Sequence, residues 1–208
     1  MIYLVDSQSR ELFESQLTQM HRLRKRVFVD QLGWCLPTLH EQERDAFDHA
    51  HTLYLLSFGS PASSLAASAR LIPTLQPTLM SALFGELCAD GVPSQASVWE
   101  ASRFCAHPSL SRRERLGHLW QIFAALLETS FLYGIERLIF TANRRLLPLA
   151  LNCGWDARVL GPTLPDGTDD VTAVEVVVTQ AALRRLRLRF CIQTPIIRVV
   201  EPRWREAA

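Results

Sequence analysis

Arg70, Glu100 and Arg103 stand inside runs that otherwise read as β-strands, and Asp48 stands at the entrance to another. Asp45 precedes Asp48 by three residues, and Arg24 lies on an amphipathic basic stretch upstream. A charge in mid-strand is costly when it is buried and unpaired. Two arrangements satisfy it: a solvated face on which Arg70 and Arg103 pair with neighbouring acids, or a polar pocket built against the sheet. The pocket would draw carboxylates from Asp45, Asp48 and Glu100 and guanidiniums from Arg24, Arg70 and Arg103. That mixture suits a zwitterionic ligand, with acids for an ammonium or sulfonium and arginines for a carboxylate. Phe28 and Trp34 add aromatic faces of the kind a purine or a cation uses. Phe28 also suits an ordinary core, whereas Trp34 follows a glycine and opens a segment with no apolar period.

These residues need elements to hold them. Ile2 to Val5 reads as a first strand. Residues 10–33 carry an apolar stripe at helical spacing, with a break expected near Thr18–His21. The segment 35–50 loses that period, and the irregular stretch 35–46 is expected to act as a lid, mobile without ligand and ordered with it. Residues 52–58 and 66–72 read as an antiparallel pair joined by a turn at Gly59-Ser60-Pro61. Residues 78–89 read as a short helix. Residues 98–106 read as a strand whose alternation puts Glu100, Ser102 and Phe104 on one face and Trp99, Ala101, Arg103 and Cys105 on the other. Ser111 and Glu114 form a capping box that opens a long helix over about 112–133, which Gly134 ends. A strand at 138–142, a helix at 143–153, two strands (155–160 and 171–179, joined by a Gly/Pro/Asp-rich turn) and a basic helix at 180–190 complete the order. The apolar run 196–200 has no assigned state. Mixed strand connections with helices between them predict an α/β fold, a three-layer αβα sandwich with a mixed sheet.

Composition narrows the classes. The chain has 208 residues, enough for one domain, and 22 basic against 21 acidic side chains leave a net charge of +1. That balance argues against a general nucleic-acid binder. The cysteines at 35, 88, 105, 153 and 191 form no Cys-x-x-Cys pair, so neither a metal site nor a disulfide framework is expected. There is no signal-peptide pattern at Met1–Asp6 and no apolar run of membrane-spanning length. A soluble protein of a reducing cytoplasm, with no membrane partner, is the expectation.

The motifs Arg24-x-x-x-Phe28, Gly33-Trp34, Glu43-x-Asp45-x-Phe47-Asp48, Ala69-Arg70-Leu-Ile-Pro73-Thr74, Leu83-Phe84 and Val98-Trp99-Glu100-x-Ser102-Arg103-Phe104, in this order, resemble the acyl-homoserine-lactone synthases, the quorum-sensing autoinducer synthases. The resemblance covers roughly residues 1–160 and extends, less specifically, to Asn152-Cys-Gly-Trp155 and a Gly161-Pro162 turn. It implies an acetyltransferase-like (GNAT-like) fold. It implies S-adenosylmethionine (SAM) as amine donor and an acyl thioester, on acyl carrier protein or coenzyme A, as acyl donor. Neither is a permanently bound cofactor. The products would be an N-acyl-homoserine lactone, methylthioadenosine and the free thiol.

On that resemblance Arg24, Phe28, Trp34, Asp45, Asp48, Arg70 and Arg103 bind SAM. Glu100, with Arg103, is catalytic, taking the proton of the methionyl amine directly or through a water. A carboxylate needs a raised pKa or an ordered water for that task. The part up to about residue 105 forms the SAM side of one domain and about 106–190 the acyl-donor side. Ser102, Phe104, Arg112, Arg115, Trp120, Phe123, Phe140 and Thr141 are the donor and acyl-pocket candidates. Arg112 and Arg115 stand where a helix start favours phosphate, although Arg115 replaces a glycine of the related acetyltransferases. At helical spacing Trp120 and Phe123 also suit plain core. The helix before Gly154 carries no Lys or Arg, which leaves coenzyme A open as donor. Another N-acyltransferase of this fold, and a non-catalytic binding protein of this fold, remain the alternatives.

Overall fold

Leu53–Phe58 is apolar at almost every position, and the computed structural model buries both its faces: Leu53 and Leu55 point to one layer, Tyr54 and Leu56 to the other. A strand of that kind needs cover on both sides. The structure describes residues 1–59, 64–167 and 169–200. Its strands are β1 (Ile2–Val5), β2 (Thr38–Leu39), β3 (Gln42–Glu43), β4 (Leu53–Phe58), β5 (Leu65–Pro73), β6 (Val98–Ala106), β7 (Arg137–Asn143), β8 (Asp156–Asp166), β9 (Asp169–Val177) and β10 (Ile197–Val199). Its α-helices are α1 (Glu14–Arg24), α2 (Leu79–Leu83), α3 (Arg112–Tyr133), α4 (Leu147–Asn152) and α5 (Gln180–Arg189). Among the described residues eight strands form one sheet in the order β10-β1-β4-β5-β6-β7-β9-β8, parallel at β10/β1 and β6/β7 and antiparallel elsewhere.

Helices cover both faces, as the alternating pattern predicts. On one side Met20 and Leu23 of α1 and Phe28 pack on Tyr54, Leu56 and Cys105. Further along the same side Met80 of α2 packs on Val98, Ile139 and Ala173. On the other side α3, buried from Ile122 to Ser130, lies on Leu55, Ala69, Ala101, Leu138 and Val176, with Leu183 and Leu186 of α5 beside it. The architecture is the mixed αβα sandwich. Among the described residues no helix is long and apolar enough to cross a membrane.

The Ser111–Glu114 capping box forms: the Glu114 amide donates to Ser111 Oγ (3.3 Å) and the Ser111 amide to Glu114 Oε2 (2.8 Å). Gly134 stops α3 in a left-handed conformation (φ 66°) that a side chain would strain. The tail, unassigned from sequence, adds β10 to the outer edge of β1. Glu128, in the middle of α3, holds it there by accepting the Ile196 and Ile197 amides at 2.9 and 3.2 Å and Arg187 Nη2 of α5 at 2.6 Å.

Several boundaries differ from the sequence reading. The stripe over 10–33 does not break at Thr18–His21. A 3₁₀ turn (Arg10–Phe13) leads into α1, and α1 widens into a π-helical stretch at Lys25–Gln31. The segment 35–46 is not irregular throughout, since β2 and β3 pair as a hairpin, with positive φ at His40 (50°) and Glu41 (61°). Residues 78–89 hold only α2 and a 3₁₀ turn, Gly85–Leu87. The helix expected at 143–153 starts at Leu147, because Asn143 Oδ1 takes the Arg145 and Leu146 amides and makes a turn first. Gly161-Pro162 is no turn but lies within β8 at a register shift. A Cβ at Gly161 would come within 2.5 Å of the Leu87 carbonyl oxygen, so glycine permits that close approach. Ser60 and Pro61 of the expected turn, and residues 201–208, lie outside the described residues.

Candidate active site

The charged side chains singled out in the sequence converge on the α1 side of the sheet. Arg24, at the end of α1, is 0% exposed and makes ion pairs with Asp48 and with Glu43 of β3. Its Nη1 and Nη2 donate to Asp48 Oδ1 (2.7 Å) and Oδ2 (2.9 Å), and its Nε to Glu43. Arg70, mid-β5, donates to Asp45, to Asp48 Oδ1 (3.1 Å) and through Nε to Ser102 Oγ (3.1 Å). Arg103 donates to Glu43 Oε1 (3.1 Å) and Asp45 Oδ2 (2.7 Å). Tyr54 OH adds a further donor to Asp48 Oδ1 (3.0 Å).

Three guanidiniums therefore meet three carboxylates, and the third carboxylate is Glu43, not Glu100. Sequence reasoning placed Glu43 in a motif but gave it no role. Three neighbouring arginines need three acids, and that count was the available signal. Burial pushes the Asp48 carboxyl up, but the Arg24 and Arg70 charges outweigh it and hold it well below the usual carboxylate range. Burial likewise disfavours the charged form of Arg24, and Asp48 with Glu43 more than restores it. Burial lowers Arg103 against the opposing pull of Glu43. His21, buried beside the cluster with Nδ1 3.0 Å from the Glu43 carbonyl oxygen, is held down to about 4 by burial and by the Arg24 charge.

Geometry then divides the cluster. All three Arg24 nitrogens and both Asp48 oxygens are engaged, so these two side chains form the closed part of the cluster. Six buried side-chain atoms find no hydrogen-bond partner among the described residues, and two of them, Arg70 Nη2 and Glu100 Oε1, carry opposite charge at the sheet beneath this cluster. They belong to adjacent strands, since Arg70 pairs with Ser102 and Ile72 with Glu100. Glu100 Oε2 accepts the Met80 amide at the start of α2 (2.7 Å). Burial raises the Glu100 pKa, and the Met80 amide, Thr78 and Arg70 only partly oppose it. The π-helical stretch brings Trp34 onto Phe28, with ring centroids 5.0 Å apart and 16° between planes, and Arg103 lies 5.5 Å over the other ring, Phe28. Trp34 remains 40% exposed, an aromatic face open to a ligand.

One residue breaks the alternation read from sequence. Arg103 has φ 54°, and the β5/β6 register shifts beside it. This bulge turns Arg103 into the charged cluster with Ser102 and moves Phe104 to the α3 face. The parity read from sequence, with Phe104 beside Glu100 and Arg103 opposite, is thus reversed. Ser102, a donor-side candidate, lies instead on the charged face against Arg70. Beyond the Glu100–Ile139 pair, β6 and β7 stop pairing although both continue, to Ala106 and Asn143. The sheet is open there, with strand amides facing the gap.

On the α3 face of that gap Phe104 and Phe140 touch with centroids 5.8 Å apart, and Phe123 and Trp155 close behind them. Trp120 extends the set, stacking on Phe190 at 4.3 Å. Thr141 is on the other face from Phe140, opposite Ala173, so the two cannot line one wall. Arg112 is exposed at the start of α3, and Arg115 Nη1 donates to the Pro108 carbonyl oxygen (3.1 Å). The Glu114 carboxylate of the capping box already occupies part of that helix start.

A mixed sheet splayed beside a buried acid, charged on one face and aromatic on the other, defines an acyltransferase of the acetyltransferase-like fold. The sequence matches the autoinducer synthase family model over residues 8–186. It is 31% identical over 165 residues to an acyl-homoserine-lactone synthase of Agrobacterium fabrum, covering 77% of this chain and 78% of that one. Two solved structures superpose closely. The coenzyme A-dependent acyl-homoserine lactone synthase MesI has a TM-score of 0.84 and 29% identity, with 95% of this chain and 98% of that chain covered. BjaI, another such synthase, solved with SAM and isopentyl-CoA, has a TM-score of 0.87 and 29% identity, with 98% and 94% covered. The chain belongs to the autoinducer synthase family, and its activity is the synthesis of an acyl-homoserine lactone.

Proposed function

We propose that the chain transfers an acyl group from an acyl-coenzyme A to the amine of SAM, using Arg70 and Glu100 as the ligand-facing charges, and that it works in the cytoplasm. The observation that carries this reading is the pair of buried, unpartnered atoms of opposite charge, Arg70 Nη2 and Glu100 Oε1. A zwitterionic amino acid satisfies both, its carboxylate on Arg70 and its ammonium at Glu100. Trp34 and Phe28 take the adenine or the sulfonium. Arg24, Glu43, Asp45, Asp48 and Arg103 hold this wall in place. In this reading residues up to about 105 carry the SAM side and about 106–190 the donor side.

Glu100, its pKa raised by burial, accepts a proton from the ammonium. The freed amine attacks the thioester carbon at the gap between β6 and β7, and the unpaired strand amides receive the developing oxyanion. The carbon–sulfur bond of the thioester breaks, the attacking nitrogen gives its second proton to the leaving thiolate, and Glu100 returns the first to solvent. The methionyl carboxylate then attacks its own γ-carbon, and the carbon–sulfonium bond breaks to release methylthioadenosine. Positioning suffices for this step because the sulfonium is already a good leaving group.

Coenzyme A is favoured as carrier because the two synthases this chain superposes on are coenzyme A-dependent and because four of the donor-side arginines are already paired. Arg144 meets Asp169, Arg158 meets Glu175, Arg185 meets Asp156 and Arg187 meets Glu128. These four pairs are neutral and offer an acidic carrier protein no net charge. The test is incubation with SAM and matched acyl-coenzyme A and acyl-carrier-protein donors. Methylthioadenosine and lactone should form fastest with coenzyme A. Absence of both products with every donor would overturn the reading, and a preference for the carrier protein would overturn its choice of donor.

A further inference from the structure

We propose that the four-ring cluster of Phe104, Phe123, Phe140 and Trp155 closes the acyl pocket short, so that this enzyme takes a compact acyl group, short or branched, and rejects long straight chains. The inference rests on the acyltransferase reading above and goes on to name the acyl class. Glu100 and Arg70 hold the amine on one face of the splayed strands, so the acyl chain must leave the gap on the other face. Phe104 and Phe140 are the side chains it meets there, one from each splayed strand.

The four rings make a closed circuit. Phe104 touches Phe123 (5.9 Å between centroids) and Phe140 (5.8 Å), and Trp155 touches Phe123 (4.6 Å) and Phe140 (6.0 Å). Rings at about 4.5–7 Å are already in van der Waals contact, so no channel runs between them. Phe123, Phe140 and Trp155 are buried and only Phe104 is partly open. Trp155 is also fixed by its Nε1, which donates to the Ala150 carbonyl oxygen. Threading a long chain would displace two or more close-packed rings, and close-packed interiors resist such insertion.

Space does exist farther on. Beyond Phe123 the Trp120–Phe190 stack borders a cleft of about 330 Å³ lined by Gly117, Gln121 and Ile192. The rings separate this cleft from the gap. Removing one ring should therefore join the two spaces.

The experiment uses the purified full chain with SAM and butyryl, isovaleryl, octanoyl and dodecanoyl donors, each as the coenzyme A and as the carrier-protein thioester. Methylthioadenosine release and lactone mass are read for every donor. The butyryl or isovaleryl thioester should exceed dodecanoyl in kcat/KM by about a hundred-fold or more, since each methylene a pocket must reject is worth roughly ten-fold or more. Phe123→Leu should raise the octanoyl-to-isovaleryl ratio by about ten-fold. Phe104→Leu, at the partly open ring, gives the same reading if Phe123→Leu folds poorly, and melting curves accompany both. A wild-type preference for dodecanoyl overturns the inference, as does an unchanged ratio in the folded variants. Failure of every donor on both carriers instead overturns the underlying acyltransferase reading.

Discussion

The two faces of the sheet fill the space beside one gap with opposite chemistry. On the α1 face three guanidiniums and three carboxylates neutralise one another, almost without solvent. On the α3 face aromatic rings do the filling, and the polar contact among them is Trp155 Nε1 donating to the Ala150 carbonyl oxygen. Desolvating six charges costs several kcal/mol per ion, and apolar replacements of buried ion networks are often as stable or more so. Stability alone therefore does not account for the composition of the charged face. The aromatic face gains from burial alone at about 25 cal/mol per Å². The difference teaches where tolerance should lie: variation of the rings changes which substrate fits, whereas variation of the ions threatens the fold.

The sharpest test is Glu43→Ala. It leaves Arg24 and Arg103 buried without their shared carboxylate, and loss of one partner from a buried ion pair costs about 3–5 kcal/mol. Urea unfolding should show that loss, and a change under about 1 kcal/mol would mean that Glu43 does not bind the network together. Next comes Glu100→Gln, which keeps the shape and removes the base. Methylthioadenosine release should fall by about a hundred-fold or more while SAM still binds in calorimetry. Undiminished turnover would remove Glu100 from the proton transfer.

A third test uses pH. His21 is held at about 4 in the folded protein against an ordinary value of 6.5. Between those values the unfolded chain binds the extra proton, so stability is full above pH 6.5 and declines as pH falls toward 4. The decline should reach about 2–3 kcal/mol near pH 4.5 and should be flatter in His21→Gln. An identical pH slope in the variant would place the titration elsewhere. The smallest effect belongs to Trp34→Ala. An exposed aromatic face contributes about 1 kcal/mol to a bound cation, so SAM affinity should weaken several-fold with little change in melting temperature.

The layers and the order of the elements were legible because apolar period and turn residues agree along most of the chain. The α3 helix shows this well: Ser111, Glu114 and Gly134 mark its ends and the structure has the same ends. The charged residues of the candidate site were legible as types, for charge in mid-strand demands an explanation. What escaped was set by tertiary contacts. No local rule puts a positive φ at an arginine, so the strict alternation assumed for 98–106 failed at Arg103. Glu43 escaped because its hairpin has a His40-Glu41 turn rather than the Asn-Gly that advertises one. Thr141 and Phe140 are neighbours in sequence, and that adjacency hid their opposite faces.

The β10–β1 pairing carries a kinetic consequence. Ile2 is matched with Ile197, so this contact closes nearly the whole described length of chain. Contacts of such separation form late, since loop closure must precede them. Until Glu128 captures the Ile196 and Ile197 amides, the outer edge of β1 stays an unpaired row of donors and acceptors. An open edge of that kind is a template for another chain. The strand that looks like a minor appendage therefore covers the β1 edge and leaves in its place an edge only three residues long.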